Sequence, residues 1–216
     1  MPGRYLITKI ETQKNNPERC SVYLGGKFAF GIHRLLLSDL GLKENRELTA
    51  REVKEVARSI DKSKIKEQAL RLLSIRPRSE KELKDKLRQK KASPGLIEEL
   101  IKEFRGKQLL DDKKFAQSWA QSRISNKPMG KFLLRQELLR KGIKKDIIDQ
   151  TVSGAFDEVE ELELARTLLR KKSRRFADET DPKVKKRMAD FLLRRGFPYS
   201  VVSQAIRGMR ELAEEI

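Results

Sequence analysis

The period of apolar positions changes once along the chain, near residue 33. Residues 5–12 (YLITKIET) alternate and are rich in β-branched side chains, the pattern of a half-buried strand. Asn15-Asn16-Pro17 is a turn signal, and residues 20–24 (CSVYL) resume strand character. Gly25-Gly26 fits a two-residue hairpin turn, with the returning strand at Lys27-Phe28-Ala29-Phe30. From His33 the spacing is helical, HRLLLSDLGL, stopped by Gly41. Thr49 begins a second helix, with Glu52 three residues on completing a capping box and Val53, Val56, Ala57 and Ile60 forming the apolar stripe. Residues 1–48 therefore predict a small β-hairpin cap with a short helix. So few strands cannot hold a core alone, so the cap should lean on the helices that follow.

From residue 62 onward there is no strand signal, and the helices repeat. ELKDKLRQKKASPGLIEELI (82–101), LRQELLRKGIKKDIIDQTV (134–152) and MADFLLRRGFPYSVVSQAI (188–206) align without gaps. Leu83, Leu134 and Met188 correspond, and so do Leu87, Leu138 and Leu192 one helical turn later. The turn positions are Lys91, Gly142 and Gly196, followed by Ala92, Ile143 and Phe197. Next come Leu96-Ile97, Ile147-Ile148 and Val201-Val202, then Ile101, Val152 and Ile206. The spacing is 51 and then 54 residues. A further helix precedes each segment, containing Ala69-Leu70-Arg71-Leu72-Leu73, Ala116-Gln117-Ser118-Trp119-Ala120 and Ala165-Arg166-Thr167-Leu168-Leu169. The pattern predicts a mainly α fold: tandem three-helix repeats in an elongated, solenoid-like array behind the β-hairpin/helix cap. The expected boundaries are 1–61 for the cap and 62–108, 109–157 and 158–216 for the repeats. Helix punctuation agrees: Ser79 with Glu82 reads as a capping box, Ser93-Pro94 and Asp181-Pro182 as caps before a first-turn proline, and Asp111-Asp112 as a helix start.

Charge adds a partner class. The 216 residues hold 50 Lys+Arg and 32 Asp+Glu, a net +18. Residues 1–61 carry +3, 62–145 carry +15, 146–163 carry −7 and 164–216 carry +7. Solubility does not require so large a surplus, which points to a polyanion or an acidic protein. Hydrophobic residues make up 38%, enough for a thin or elongated core. No run approaches the roughly 18–20 apolar residues of a spanning helix. The single cysteine excludes a disulfide scaffold, and MPGRYLITKI lacks the apolar centre of a secretory signal. A cytoplasmic location is expected.

Candidate chemistry is sparse. Cys20 and His33 are the only residues of their types, and Cys20 lies in an alternating strand where packing explains it. Metal-ligand clusters and a glycine-rich phosphate loop are both missing, so neither a cofactor nor catalysis is expected. The acidic interval at 157–163 reads as a solvated face or linker. Phe104, Phe115 and Trp119 sit at the helical spacing of core residues rather than of a base-stacking platform. Basic residues recur at the ends of the middle helices, as Arg88-Gln89-Lys90-Lys91, Arg140-Lys141 and Arg194-Arg195, where the helix dipole alone favours them. The stripe Lys81, Lys84, Arg88 and the pair Lys131, Arg135 go beyond that and suggest a linear basic track.

RPRSEKELKDKLRQK (76–90) resembles the signature of the RecX family, bacterial regulators of the RecA recombinase. The resemblance continues through LLDDKKFAQSWAQSRI (109–124), where Leu110, Asp111, Phe115, Ala116 and Trp119 fall in the expected places, and through RQELLRKGI (135–143) and FLLRRGFPYSVV (191–202). It covers about residues 62–206. The sequence departs from the family pattern at Lys91-Ala92, where a glycine and a bulky apolar residue are usual, which questions the C-cap geometry of the first repeat. The resemblance implies three-helix repeats without catalytic activity. It also implies binding along the groove of the RecA filament on single-stranded DNA, with inhibition of RecA's ATPase and strand exchange. The contact candidates are Arg76, Arg78, Lys84, Arg88, Arg123, Lys131, Arg135, Arg140, Lys141, Arg194 and Arg195. Direct DNA contact, a monomeric state and no membrane contact complete the expectation. The competing reading is an autonomous nucleic-acid-binding helical repeat protein.

Overall fold

The computed structural model describes residues 3–157, 159–172 and 181–214, with side chains through residue 208. The chain divides into two compact units: Met1–Arg76 with Lys86–Glu103, and Pro77–Asp85 with Phe104–Ile216.

The first unit opens with a meander of β1 (Arg4–Gln13), β2 (Asn16–Leu24) and β3 (Lys27–His33). Gly25 and Gly26, at φ 55° and 80°, make the β2–β3 turn, with Leu24 paired to Lys27. Their left-handed backbone is the one a tight hairpin needs. The β1–β2 turn falls at Lys14-Asn15, and Pro17 lies within β2 rather than in a loop. A short β4 (Glu47–Thr49), not anticipated, pairs with β1, giving the order β3-β2-β1-β4. It escapes a pattern search because it is three residues long with one buried side chain, Leu48.

One sheet face buries Ile7, Cys20, Val22 and Ile32 against Leu42, Leu48, Val56 and Ile60. The cap therefore leans on the helix that follows it. His33 caps α1 (Arg34–Asp39), its Nδ1 accepting from the Leu35 N–H at 3.3 Å. Thr49 and Glu52 form the full capping box of α2 (Ala50–Ile75). This helix is continuous for 26 residues and crosses the expected 61/62 boundary. Its outer face pairs with α4 (Pro94–Gly106): Arg58 and Lys62 with Glu99, and Lys66 with Glu103 at 2.7 Å.

The second unit contains α5 (Asp112–Asn126), α6 (Lys131–Arg140), α7 (Lys145–Asp157), α8 (Glu161–Arg170), α9 (Pro182–Arg194) and α10 (Tyr199–Glu214). It also holds the first turns of α3 (Glu80–Gln89). The helix triplets α5–α7 and α8–α10 share one core. The repeat register predicts burial well in both units: Leu83, Leu87, Leu134, Leu138, Met188 and Leu192 are all fully buried, as are Ala69, Ala116 and Ala165. Phe104 and Phe115 are core, whereas Trp119 is half-buried at its edge. Asp111 caps α5 through the Lys113 and Lys114 N–H groups, and Asp181 caps α9 ahead of Pro182. Of the Ser79/Glu82 box, the half in which Ser79 Oγ accepts from the Glu82 N–H is present, at 3.2 Å.

Each middle helix ends in the same left-handed turn. Lys91, Gly142 and Gly196 have φ of 61°, 80° and 81°. Their N–H groups donate to Arg88, Leu139 and Leu193, and the next residues donate to Leu87, Leu138 and Leu192. The departure at Lys91-Ala92 thus leaves the geometry intact, and an exposed lysine carries the strained conformation.

Candidate partner-binding surface

Two close joints link helices of the second unit. At the first, the start of α3 meets the turn after α6. Ser79 Oγ donates to the Lys141 carbonyl at 2.7 Å and Lys81 Nζ to the Arg140 carbonyl at 3.0 Å. A Cβ on Gly142 would stand 2.6 Å from Lys81 Cβ. At the second, the start of α6 meets the turn after α9. The Gly130 N–H donates to the Arg195 carbonyl at 2.9 Å, and a Cβ on Gly130 would overlap the Gly196 carbonyl. These glycines are required by close approach, whereas the corresponding Lys91 has an exposed side chain.

The joints consume cations that the sequence offered as contacts. Arg123 Nε and Trp119 Nε1 both donate to Glu137 Oε2, at 2.7 and 2.9 Å. Lys141 pairs with Glu82, and its ammonium lies 4.2 Å from the centroid of the Trp119 ring. The Arg123 guanidinium lies 4.4 Å from that centroid, so both cations lie against the electron-rich ring. Arg135 pairs with Asp149. Arg195 donates to the Pro128 carbonyl at 3.3 Å and lies over Phe191. Arg78 and Lys84 are half-buried, while Arg76, Arg88, Lys131, Arg140 and Arg194 are exposed. Of the expected basic track, Lys81 donates to the Arg140 carbonyl and Arg135 pairs with Asp149; of the other candidates, Arg123, Lys141 and Arg195 are engaged within the second unit. Their partners lie 14 to 67 positions away in sequence, beyond the reach of helical spacing.

Sequence reasoning also missed three exposed apolar side chains, Phe132, Leu139 and Leu193. Spacing alone does not separate the doublets Leu138-Leu139 and Leu192-Leu193 from Leu168-Leu169, whose two leucines are both buried, so the sequence carried no clear signal for them.

A cleft of about 660 Å³ at the start of α5 is lined by Arg105, Lys113, Lys114 and Lys144, but also by Glu80, Asp111, Asp112 and Asp146. Its charges balance, which makes it a poor anion pocket. The Arg105 guanidinium, bidentate on Glu80 at 2.7 and 2.8 Å, holds that carboxyl below its usual range. Burial pushes Asp112 upward, against the hydrogen bond its carboxylate accepts from the Glu80 N–H.

Cys20 stands opposite Ile32, and His33 opposite Arg19, so the thiol and imidazole project from opposite sheet faces. Among the described residues no group of acidic, Cys and His side chains could hold a metal ion, and no helix is long and apolar enough to cross a membrane.

Family models match the chain in order. They are the regulatory protein RecX N-terminal domain at residues 5–49 and the first, second and third three-helix domains of RecX at 66–104, 111–152 and 158–206. The regulatory protein RecX of Bacillus velezensis is 34% identical over 203 residues, 93% of this chain and 76% of that protein. The chain belongs to the RecX family. The RecX of Clostridioides difficile is 30% identical over 97% of this chain and 98% of its own length. A crystal structure of regulatory protein RecX superposes with a TM-score of 0.72 at 30% identity, covering 93% of this chain and 98% of that one. The RecX structure from Lactobacillus salivarius gives 0.61 at 27% identity, covering 69% and 97%. The tandem three-helix domains and the strand cap are therefore those of RecX, and the relatives are named as regulatory proteins.

Proposed function

We propose that this RecX family member is a non-catalytic regulator. In this reading it binds the RecA filament on single-stranded DNA along its helical groove and mainly inhibits RecA's ATPase, recombinase and coprotease activities. It would act as a monomer in the cytoplasm. The observation that carries the reading is the ordered match of all four RecX domains along one chain.

The charge distribution favours a protein component in that contact. In a helix-turn-helix reader, the last helix of the triplet enters the major groove. Here the corresponding α7 presents exposed Asp146 and Asp157 against a single exposed cation, Lys145, while Asp149 is paired with Arg135, so the helix lacks the cationic surplus that duplex phosphates require. An autonomous duplex-binding repeat protein is correspondingly disfavoured. The exposed Arg88, Arg140 and Arg194 suit either acidic protein or phosphate.

The deciding experiment is a salt titration of RecA's DNA-dependent ATPase alongside binding of the chain to naked single-stranded DNA. Inhibition should persist at salt that removes the chain from DNA, because phosphate contacts weaken steeply with salt. Inhibition that disappears in step with DNA binding overturns the reading.

A further inference from the structure

The second unit leaves apolar side chains in solvent in a repeated arrangement. Phe132 is 65% exposed, Leu139 57% and Leu193 44%. Phe132 and Leu139 are seven positions apart on α6 and so share one face. Leu139 and Leu193 occupy the same repeat position, one residue past the core leucines Leu138 and Leu192. Each is followed by an exposed arginine, Arg140 or Arg194. Neither arginine is in an ion pair among the described residues. The same Leu-Arg element is therefore displayed twice, and the Gly130–Arg195 backbone joint links the two helices that carry it.

An aliphatic side chain discriminates between partners. A phosphodiester backbone offers leucine no apolar surface to bury, whereas a protein hollow does. The arginine beside each leucine selects carboxylates at the edge of that hollow. Two copies of one element on one body suit a partner that repeats.

We propose that Leu139-Arg140 and Leu193-Arg194, with Phe132 beside the first, form the protein-contact face of the chain. Each pair engages an apolar hollow edged by carboxylates on a subunit of a filament of identical subunits. This rests on the filament reading above and assigns the protein, not the DNA, to this face.

The test measures binding of the full chain to RecA filaments locked on single-stranded DNA, and separately to naked oligo(dT), for the wild type and for L139D/L193D. The double variant should lose at least tenfold in filament affinity, with oligo(dT) affinity and Tm close to the wild type. R140E/R194E gives the same filament readout should the aspartates impair folding, and its filament loss should exceed its oligo(dT) loss. Unchanged filament binding by both variants, or equal losses on filament and oligo(dT), overturns the proposal and leaves the functional reading standing. A wild type that sediments as a dimer, and turns monomeric in L139D/L193D, overturns it in favour of a self-interface. A wild type that ignores the filament overturns the functional reading and this proposal with it.

Discussion

Trp119 and Glu137, 18 positions apart, are joined by an indole N–H hydrogen bond of 2.9 Å to an oxygen that Arg123 also shares. Trp119 is the only tryptophan, so its emission reports on this network alone. Removing the acceptor strands an indole N–H and a guanidinium. Glu137→Ala should cost about 2 kcal/mol, the scale of hydrogen bonds to a charged group. The check is chemical denaturation followed by tryptophan emission, which should also shift in the native state.

The candidate cations should separate into two classes. Arg123 and Lys141 are held by Glu137 and Glu82 at side-chain exposures near one fifth. Arg123→Ala and Lys141→Ala should lower stability by about 1–3 kcal/mol, since each takes one charged partner from a shielded carboxylate. Arg140→Ala and Arg194→Ala should stay within about 0.5 kcal/mol, as exposed substitutions do. Thermal melts of the four variants decide this. Equal losses in all four would contradict the division.

The three left-handed turns make a third test. Lys91→Gly relieves a strained φ at an exposed position and should gain up to about 1 kcal/mol. Gly142→Ala adds a Cβ within 2.6 Å of Lys81 on top of the strain, and should lose more than about 2 kcal/mol. Gly130→Ala has an ordinary φ of −76° and isolates close approach from strain. It too should destabilise, by overlap with the Gly196 carbonyl. Urea midpoints provide the comparison.

Two neighbouring carboxylates should respond to pH with opposite sign. Glu80 is held below its usual value by Arg105, so its contribution is present above the unfolded value of 4.5 and lost as pH falls through the lower folded one. Asp112 is pushed up by burial, so its folded form favours the proton. Its effect is to weaken stability as pH rises from 3.8 through the higher folded value. Glu80→Gln should therefore destabilise at pH 7 and lose that effect near pH 3. Asp112→Asn, which keeps an acceptor for the Glu80 N–H, should be neutral or stabilising at pH 7. Melts across pH 3–7 check both signs.

The core was legible because helical periodicity is a local property. Leu83, Leu134 and Met188 announce themselves through neighbours three and four positions away. The hairpin was legible for the same reason, at Gly25-Gly26. β4 was not, because Leu48 alone carries no period. The roles of the cations were hidden because charge type does not reveal a partner. Nothing beside Lys141 in the sequence points to Glu82, 59 positions earlier. Helical spacing places Trp119 in the core, and it does pack there, but its ring also faces Arg123 and Lys141, which spacing cannot show.

The joint between Gly130 and Arg195 is made of main chain, and that has a consequence for behaviour in solution. Added salt screens the exposed ion pairs and the arginines at 140 and 194, but it hardly touches an amide–carbonyl bond with no side chain between the partners. The second unit should thus keep its internal arrangement at ionic strengths that release it from an acidic partner. Detachment by salt would then be a reversible uncoupling of an intact body, free to bind again on dilution.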